Sequence, residues 1–148
     1  MSSDILYKTI AEIGRLYRSG ELSPVDVVKA ALNRLDTVES KLNAFITVLR
    51  EQALADAQAA EQDLREGRDL GPLHGIPFSL KDIYDTAGIR TTSGSRHWKD
   101  RVPQQTAESA QRLLKAGAIL LGKCNLLEFA YGIVHEDYGQ CNNPWNSE

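Results

Sequence analysis

The stretch TAESAQRLLKAGAILLGKCN, residues 106–125, does most to limit what this chain can fold into. Its first half predicts a helix capped by Thr106 and ended by Gly117, and that helix runs at once into an apolar strand over 118–121. The strand is continuously apolar instead of alternating, which is the pattern of a strand covered on both faces. A helix feeding such a strand implies an α/β chain with a parallel or mixed, largely buried sheet covered by helices.

Upstream the texture differs. Asp4 is placed to cap a helix through about Arg18, with Leu6, Ile10, Ile13 and Tyr17 on one face and Gly20 just past its end. Ser23 and Pro24 start a second helix, in which Val27, Val28, Ala31, Leu32 and Leu35 form a buried stripe while Lys29, Asn33 and Arg34 face water. These two helices are expected to pack as an antiparallel pair. A β-rich run over 44–48 precedes an alanine-rich helix over 51–66 that stops at Gly67. Residues 1–68 therefore read as mainly helical. From DLGPLHGIPFSLKD onward, glycines, prolines and short apolar runs mark the start of the sheet region, 69–148. The length of 148 residues suits one domain. The last stretch, AYGIVHEDYGQCNNPWNSE, reads as loop without a capping element, so the sequence is expected to be cut short within that domain.

Charge excludes some partners. Seventeen basic and twenty acidic side chains give a net charge of -3, and no basic stripe forms, so neither nucleic acid nor an anionic membrane is expected as a direct partner. No apolar run reaches signal-peptide or membrane-spanning length, and a cytoplasmic location is expected. Cys124 and Cys141 are read as reduced thiols.

The sheet region holds one conspicuous anomaly: in GIPFSLKDIYD, Lys81 and Asp82 interrupt an apolar strand. Strand alternation puts Ser79 and Lys81 on one face. If that face is buried, a lysine without full counter-charge loses its proton readily and serves as a base able to activate a serine. The alternative is a strand-end lysine paired in water with Asp82 or Asp85. Periodicity leaves both open, and the second is the commoner environment.

Other patterns carry less. The Gly117 to Cys124 spacing imitates a phosphate-binding loop, but the helix comes before the strand instead of after it, so no free amides meet a phosphate. Cys124, His135 and Cys141, with His74 or His97, lack the paired spacing of a zinc site, and no metal is expected. Cys124 follows a buried strand and is read as a packed thiol, not a nucleophile with His135 as base. Ser93 and Ser95 sit in a glycine-containing turn with no elbow motif.

Three stretches, GPLHGIPFSLKDIYDTAGIRTTSGS, AGAILLGKCNLLEFAYG and NNPWN, occur in an order and spacing that resembles the N-terminal part of the amidase signature enzymes over about residues 22–148. The specific elements are Gly75-Ile76-Pro77 with Lys81-Asp82, Leu121-Gly122-Lys123 with Asn125 and Glu128-Phe129-Ala130, and Asn143-Pro144-Trp145. The resemblance implies hydrolysis of a small or aryl carboxamide by a Ser, cis-Ser, Lys triad in which Lys81 accepts a proton from the bridging serine, without cofactor or metal. It also implies that Phe129, Ala130 and Tyr131 lie on the substrate side. In the family both serines and the oxyanion-hole backbone follow the Asn-Pro-Trp segment, so this chain holds only the lysine and is expected to be inactive alone. Cys124 stands where the family usually has threonine.

Two other functions remain as alternatives. One is the glutamine-hydrolysing subunit of an enzyme that transamidates misacylated tRNA with a partner chain, although EFAYGIVHEDYGQCNNPW looks more like the general amidases. The other is a non-catalytic helical binding or dimerisation module, since the N-terminal helices often form a homodimer contact in the family.

Overall fold

Thr9 sets where the first long helix begins. Its hydroxyl accepts a hydrogen bond from the Glu12 amide at 3.2 Å, and the Glu12 carboxylate accepts the Thr9 amide at 2.7 Å. This reciprocal cap satisfies two otherwise unpaired amides and opens α1, Ile10–Ser19. The computed structural model describes residues 3–146. A helix continuous from Asp4 is thus corrected: a separate 3-10 turn, Ser3–Tyr7, precedes Thr9, and the Asp4 side chain lies outside the described residues. Of the apolar face read for α1, Ile13 and Tyr17 are buried and Ile10 is exposed.

The second helix follows its sequence closely. Ser23 Oγ accepts the Asp26 amide at 3.1 Å ahead of α2, Pro24–Leu42, and proline in the first turn lacks only an amide that has no helical partner there. Val27, Val28 and Leu32 are buried, and Lys29, Asn33 and Arg34 are exposed. β1, Phe45–Val48, and α3, Arg50–Arg65, fall within a residue or so of their expected bounds. α4, Glu108–Lys115, is shorter than expected. Thr106 does not cap it, because its hydroxyl accepts the Ala87 amide at 3.0 Å instead.

Three strands form a mixed sheet in the order β1-β3-β2. The central β3, Ile119–Cys124, runs antiparallel to β1, with Phe45 opposite Cys124 and Val48 opposite Gly122. Bonds from the Ile119 amide to the Ile76 carbonyl, 2.9 Å, and from the Asp82 amide to the Cys124 carbonyl, 3.0 Å, run β2, Pro77–Lys81, parallel to β3. Successive residues Ile119 and Leu120 are both buried, as are Gly122 and Lys123, so β3 is covered on both faces as its sequence implied. The strand extends three residues beyond Leu121. Gly122 permits this: a Cβ there would lie 2.3 Å from the Thr47 carbonyl oxygen of β1.

The chain forms two compact units built from alternating segments. The first comprises Met1–Leu35, Leu49–Phe78 and Arg112–Leu121, and its core joins α1 to α2 through Ile13, Tyr17, Val27 and Ile76. There the carbonyl of Gly75, a residue at a φ of +77°, accepts the Tyr17 hydroxyl at 3.1 Å, and a Cβ added to that glycine would meet Pro24 at 2.7 Å. The second unit comprises Asp36–Val48, Ser79–Gln111 and Gly122–Glu148. It holds every residue of the candidate site. Among the described residues no helix is long and apolar enough to cross a membrane.

Candidate active site

β2 alternates as its sequence demands: Leu80 is buried, and Ser79 and Lys81 stand on the other face. That face is open. Lys81 is exposed and lines a pocket of about 420 Å³ with Asn125, Leu126, Leu127, Val134, Gly139, Gln140 and Cys141.

Asparagines hold the wall of this pocket. Just past β3, the Asn125 amide donates to the Ala44 carbonyl at 2.8 Å, and its Nδ2 donates to the carbonyls of Asn43 and Gly139, each at 3.0 Å. Asn43 Nδ2 donates to the Tyr138 carbonyl at 2.7 Å, and Asn142 Nδ2 to the Lys41 carbonyl at 2.8 Å. A loop with little apolar content thus gains definition from side-chain amides that replace missing ladder bonds. Asn43 was not singled out from sequence. A helix-ending asparagine looks like an ordinary terminator, and its role depends on a segment almost a hundred residues away.

The residue after Lys81 is anchored on the opposite face. Asp82 is fully buried; its Oδ2 accepts the Thr92 amide at 2.8 Å and the Thr92 hydroxyl at 2.6 Å, and its carbonyl accepts the Ser93 amide at 2.9 Å. Its Oδ1 lies 3.2 Å from Lys123 Nζ. Lys123 is also fully buried and donates to the Tyr84 carbonyl at 2.8 Å and to Thr91 Oγ1 at 2.7 Å. Burial pulls the Lys123 pKa below the ordinary lysine value, and the Asp82 carboxylate opposes that pull. The buried lysine of this site is therefore Lys123, not Lys81.

Asp85 is engaged as well, in a two-pronged pair with Arg101, both contacts 2.6 Å. The guanidinium holds the Asp85 carboxyl below the usual carboxylate range, and it also stacks on Trp98 at 4.6 Å from the ring centre. Both carboxylates that periodicity offered as partners for Lys81 are committed to other cations. Among the described residues no hydrogen bond or ion pair reaches Lys81 Nζ.

The three residues carried as substrate-side candidates separate from the lysine. Phe129 packs edge-on against Trp98, ring centres 5.2 Å apart, and lines a second pocket of about 480 Å³ with Tyr84, Asp85, Ser93 and Arg101. Lys81 does not line that pocket, and neither Ala130 nor Tyr131 lines either one; Tyr131 is 94% exposed. Phe129 and Ala130 both adopt left-handed backbone angles, φ +52° and +64°, which side-chain-bearing residues rarely hold. The Phe129 amide donates to the Ser93 carbonyl at 2.8 Å, and Ser93 is itself left-handed at +53°.

Ser93 and Ser95 are buried turn residues. Ser95 Oγ accepts the His97 amide at 3.3 Å, and its carbonyl accepts the Tyr138 hydroxyl at 3.1 Å. Cys124 is a half-buried free thiol whose pKa burial pushes up, and Cys141 is free and exposed.

Against known proteins, residues 26–148 match the family model for Amidase. The chain is 44% identical over 146 residues to the A subunit of the glutamyl-tRNA(Gln) amidotransferase of Streptomyces coelicolor, covering 97% of this chain and 29% of that protein. It is 41% identical over 145 residues to the corresponding amidotransferase protein of Geobacter sp. strain M21, covering 97% and 30%. Among solved structures it superposes on a bacterial aryl acylamidase of the amidase signature family with a TM-score of 0.88 at 27% identity, over 97% of this chain and 31% of the other. It superposes on the peptide amidase of Stenotrophomonas maltophilia with a TM-score of 0.80 at 34% identity, over 84% and 26%. The chain belongs to the amidase signature family. It spans between about a quarter and a third of the length of these relatives.

Proposed function

We propose that this chain contributes the proton-accepting lysine and part of the substrate cleft to an enzyme that hydrolyses a carboxamide to a carboxylate and ammonia or an amine. The observation that carries this is the environment of Lys81: a cationic side chain on an open strand face, lining a pocket, with neither neighbouring carboxylate paired to it. A lysine takes a proton from a serine hydroxyl only as the neutral amine, a form favoured once the segment bearing the serines covers this open face and desolvates it. In the family scheme the bridging serine gives its proton to Lys81 and takes one from the nucleophilic serine, whose oxygen adds to the amide carbon. The C–N bond then breaks, the returning proton leaves with the amine, and water releases the acyl group as carboxylate. The glycine- and serine-rich segment that supplies both serines in that scheme is not among these 148 residues. A polypeptide of these residues alone therefore gives no turnover; hydrolysis by the pure chain that vanished in Lys81→Ala would contradict this.

A second substrate assignment has its own support. Identity of 41 to 44% to amidotransferase proteins favours the side-chain amide of glutamine, with the ammonia passed onward in a partner-dependent transamidation. A chimera separates the two: residues 1–148 joined to the remaining segment of the Streptomyces coelicolor relative, assayed with glutamine, a peptide amide and an aryl amide. Hydrolysis that depends on Lys81 supports the amidase assignment, and the preferred amide chooses between the two substrates. An active chimera indifferent to Lys81→Ala would refute the role of the lysine.

A further inference from the structure

Strand alternation sends Lys81 and Asp82 to opposite faces, one open and one fully buried. The two oxygens of Asp82 are compensated unequally. Oδ2 accepts two hydrogen bonds from Thr92, whereas Oδ1 is buried without any hydrogen bond and has only the ammonium of Lys123, 3.2 Å away, to balance it. A buried carboxylate left unbalanced is costly, and for as long as it stays ionised its field acts on every cation nearby. The cation next in the chain is Lys81. A carboxylate within about 4–6 Å favours the ammonium form of any lysine, which disables it as a proton acceptor.

We propose that Lys123 is a positioning residue for Lys81: by claiming Asp82 in the interior it leaves the Lys81 amine facing its pocket without a counter-charge. The proposal rests on the assignment of Lys81 as the proton acceptor. Lys123 is suited to the task because its other two bonds, to the Tyr84 carbonyl and Thr91 Oγ1, fix its ammonium from the loop that follows β2. The same contacts tie that loop to β3, so the strand end carrying Lys81 is clamped from its far side. Arg101 does the equivalent for Asp85.

The test reads the amine directly. The 148-residue chain is exposed to limiting acetic anhydride at neutral pH, and acetylation of Lys81 relative to the exposed Lys29 is followed by peptide mass spectrometry in wild type, Lys123→Met, Lys123→Arg and Asp82→Asn/Lys123→Met. Lys123→Met should slow relative acetylation of Lys81 about threefold, the change a partly screened unit charge at close range produces. Lys123→Arg and the double variant should restore the wild-type rate, the first by replacing the charge and the second by removing the need for it. Equal slowing in Lys123→Met and the double variant would mean a loosened fold instead and would overturn the proposal, as would no slowing in a folded Lys123→Met. Should Lys123→Met fail to fold by circular dichroism, the double variant decides: a wild-type rate supports the proposal and a slowed one overturns it. Acetylation needs no amide turnover, so failure of the hydrolytic assignment would leave this outcome readable by itself.

Discussion

At single positions the structure makes demands that leave little choice of residue. Gly122 is such a position: the carbonyl oxygen of Thr47 and the ring of Phe45, at 2.9 Å, occupy the space a side chain would need. Gly122→Ala should therefore push β1 from β3 and lower stability by about 2 kcal/mol, read as a fall in the urea midpoint. A midpoint equal to wild type would contradict the observed register. Asp85 sets a second expectation. Its folded carboxyl is held below the ordinary range by Arg101, so its contribution is fully present above the unfolded carboxylate value and is lost as pH falls through the lower folded one. Stability should decline as pH falls below about 4, the unfolded carboxylate value, and Arg101→Met, which keeps the apolar cover on Trp98, should flatten that decline. Because both side chains are about one-third exposed, the effect is modest. An unchanged acid slope in the variant would show that the pair does not contribute.

Among the elements, the loop around Glu128–Ala130 stands apart, since two consecutive side-chain-bearing residues hold left-handed angles there. Each such residue costs roughly 1–2 kcal/mol relative to its relaxed backbone, a cost met by the bonds from the Phe129 amide to Ser93 and the Ala130 amide to Leu127, and by the Phe129–Trp98 ring contact. Ala130→Gly relieves the local cost but frees the unfolded chain, so a net gain of about 0.5 kcal/mol is expected from urea unfolding. A loss of about 1 kcal/mol or more would show that the methyl group is needed. The elements also show what sequence could convey. The apolar run of β3 announced burial on both faces, and Ser23-Pro24 announced the start of α2, because both signals are local and backbone-based. The start of α1 was missed because Asp4 and Thr9 both suit a cap, and only the reciprocal partner Glu12 decides between them. Thr106 was misassigned for a related reason, its hydroxyl being drawn to Ala87 across the chain.

For the molecule as a whole, family membership was legible as an ordered set of short motifs, while the surroundings of Lys81 were not. Periodicity placed Ser79 and Lys81 on one face but could not say that this face is open, that Asp82 turns inward to Lys123, or that Asp85 goes to Arg101. Those pairings join residues far apart in sequence and are chosen by burial. Periodicity likewise could not show that Phe129, carried as a substrate-side candidate, lines a pocket with Trp98 that Lys81 does not line. The central claim is that Lys81 is the proton acceptor of an amide-hydrolysing site completed by serines outside these residues. The most direct measurement is amide hydrolysis by the chimera that joins residues 1–148 to the remaining segment of an amidase signature relative, with and without Lys81→Ala. The account predicts turnover that falls by roughly a thousandfold or more in the variant; a folded chimera that hydrolyses amides equally well without Lys81 would contradict it.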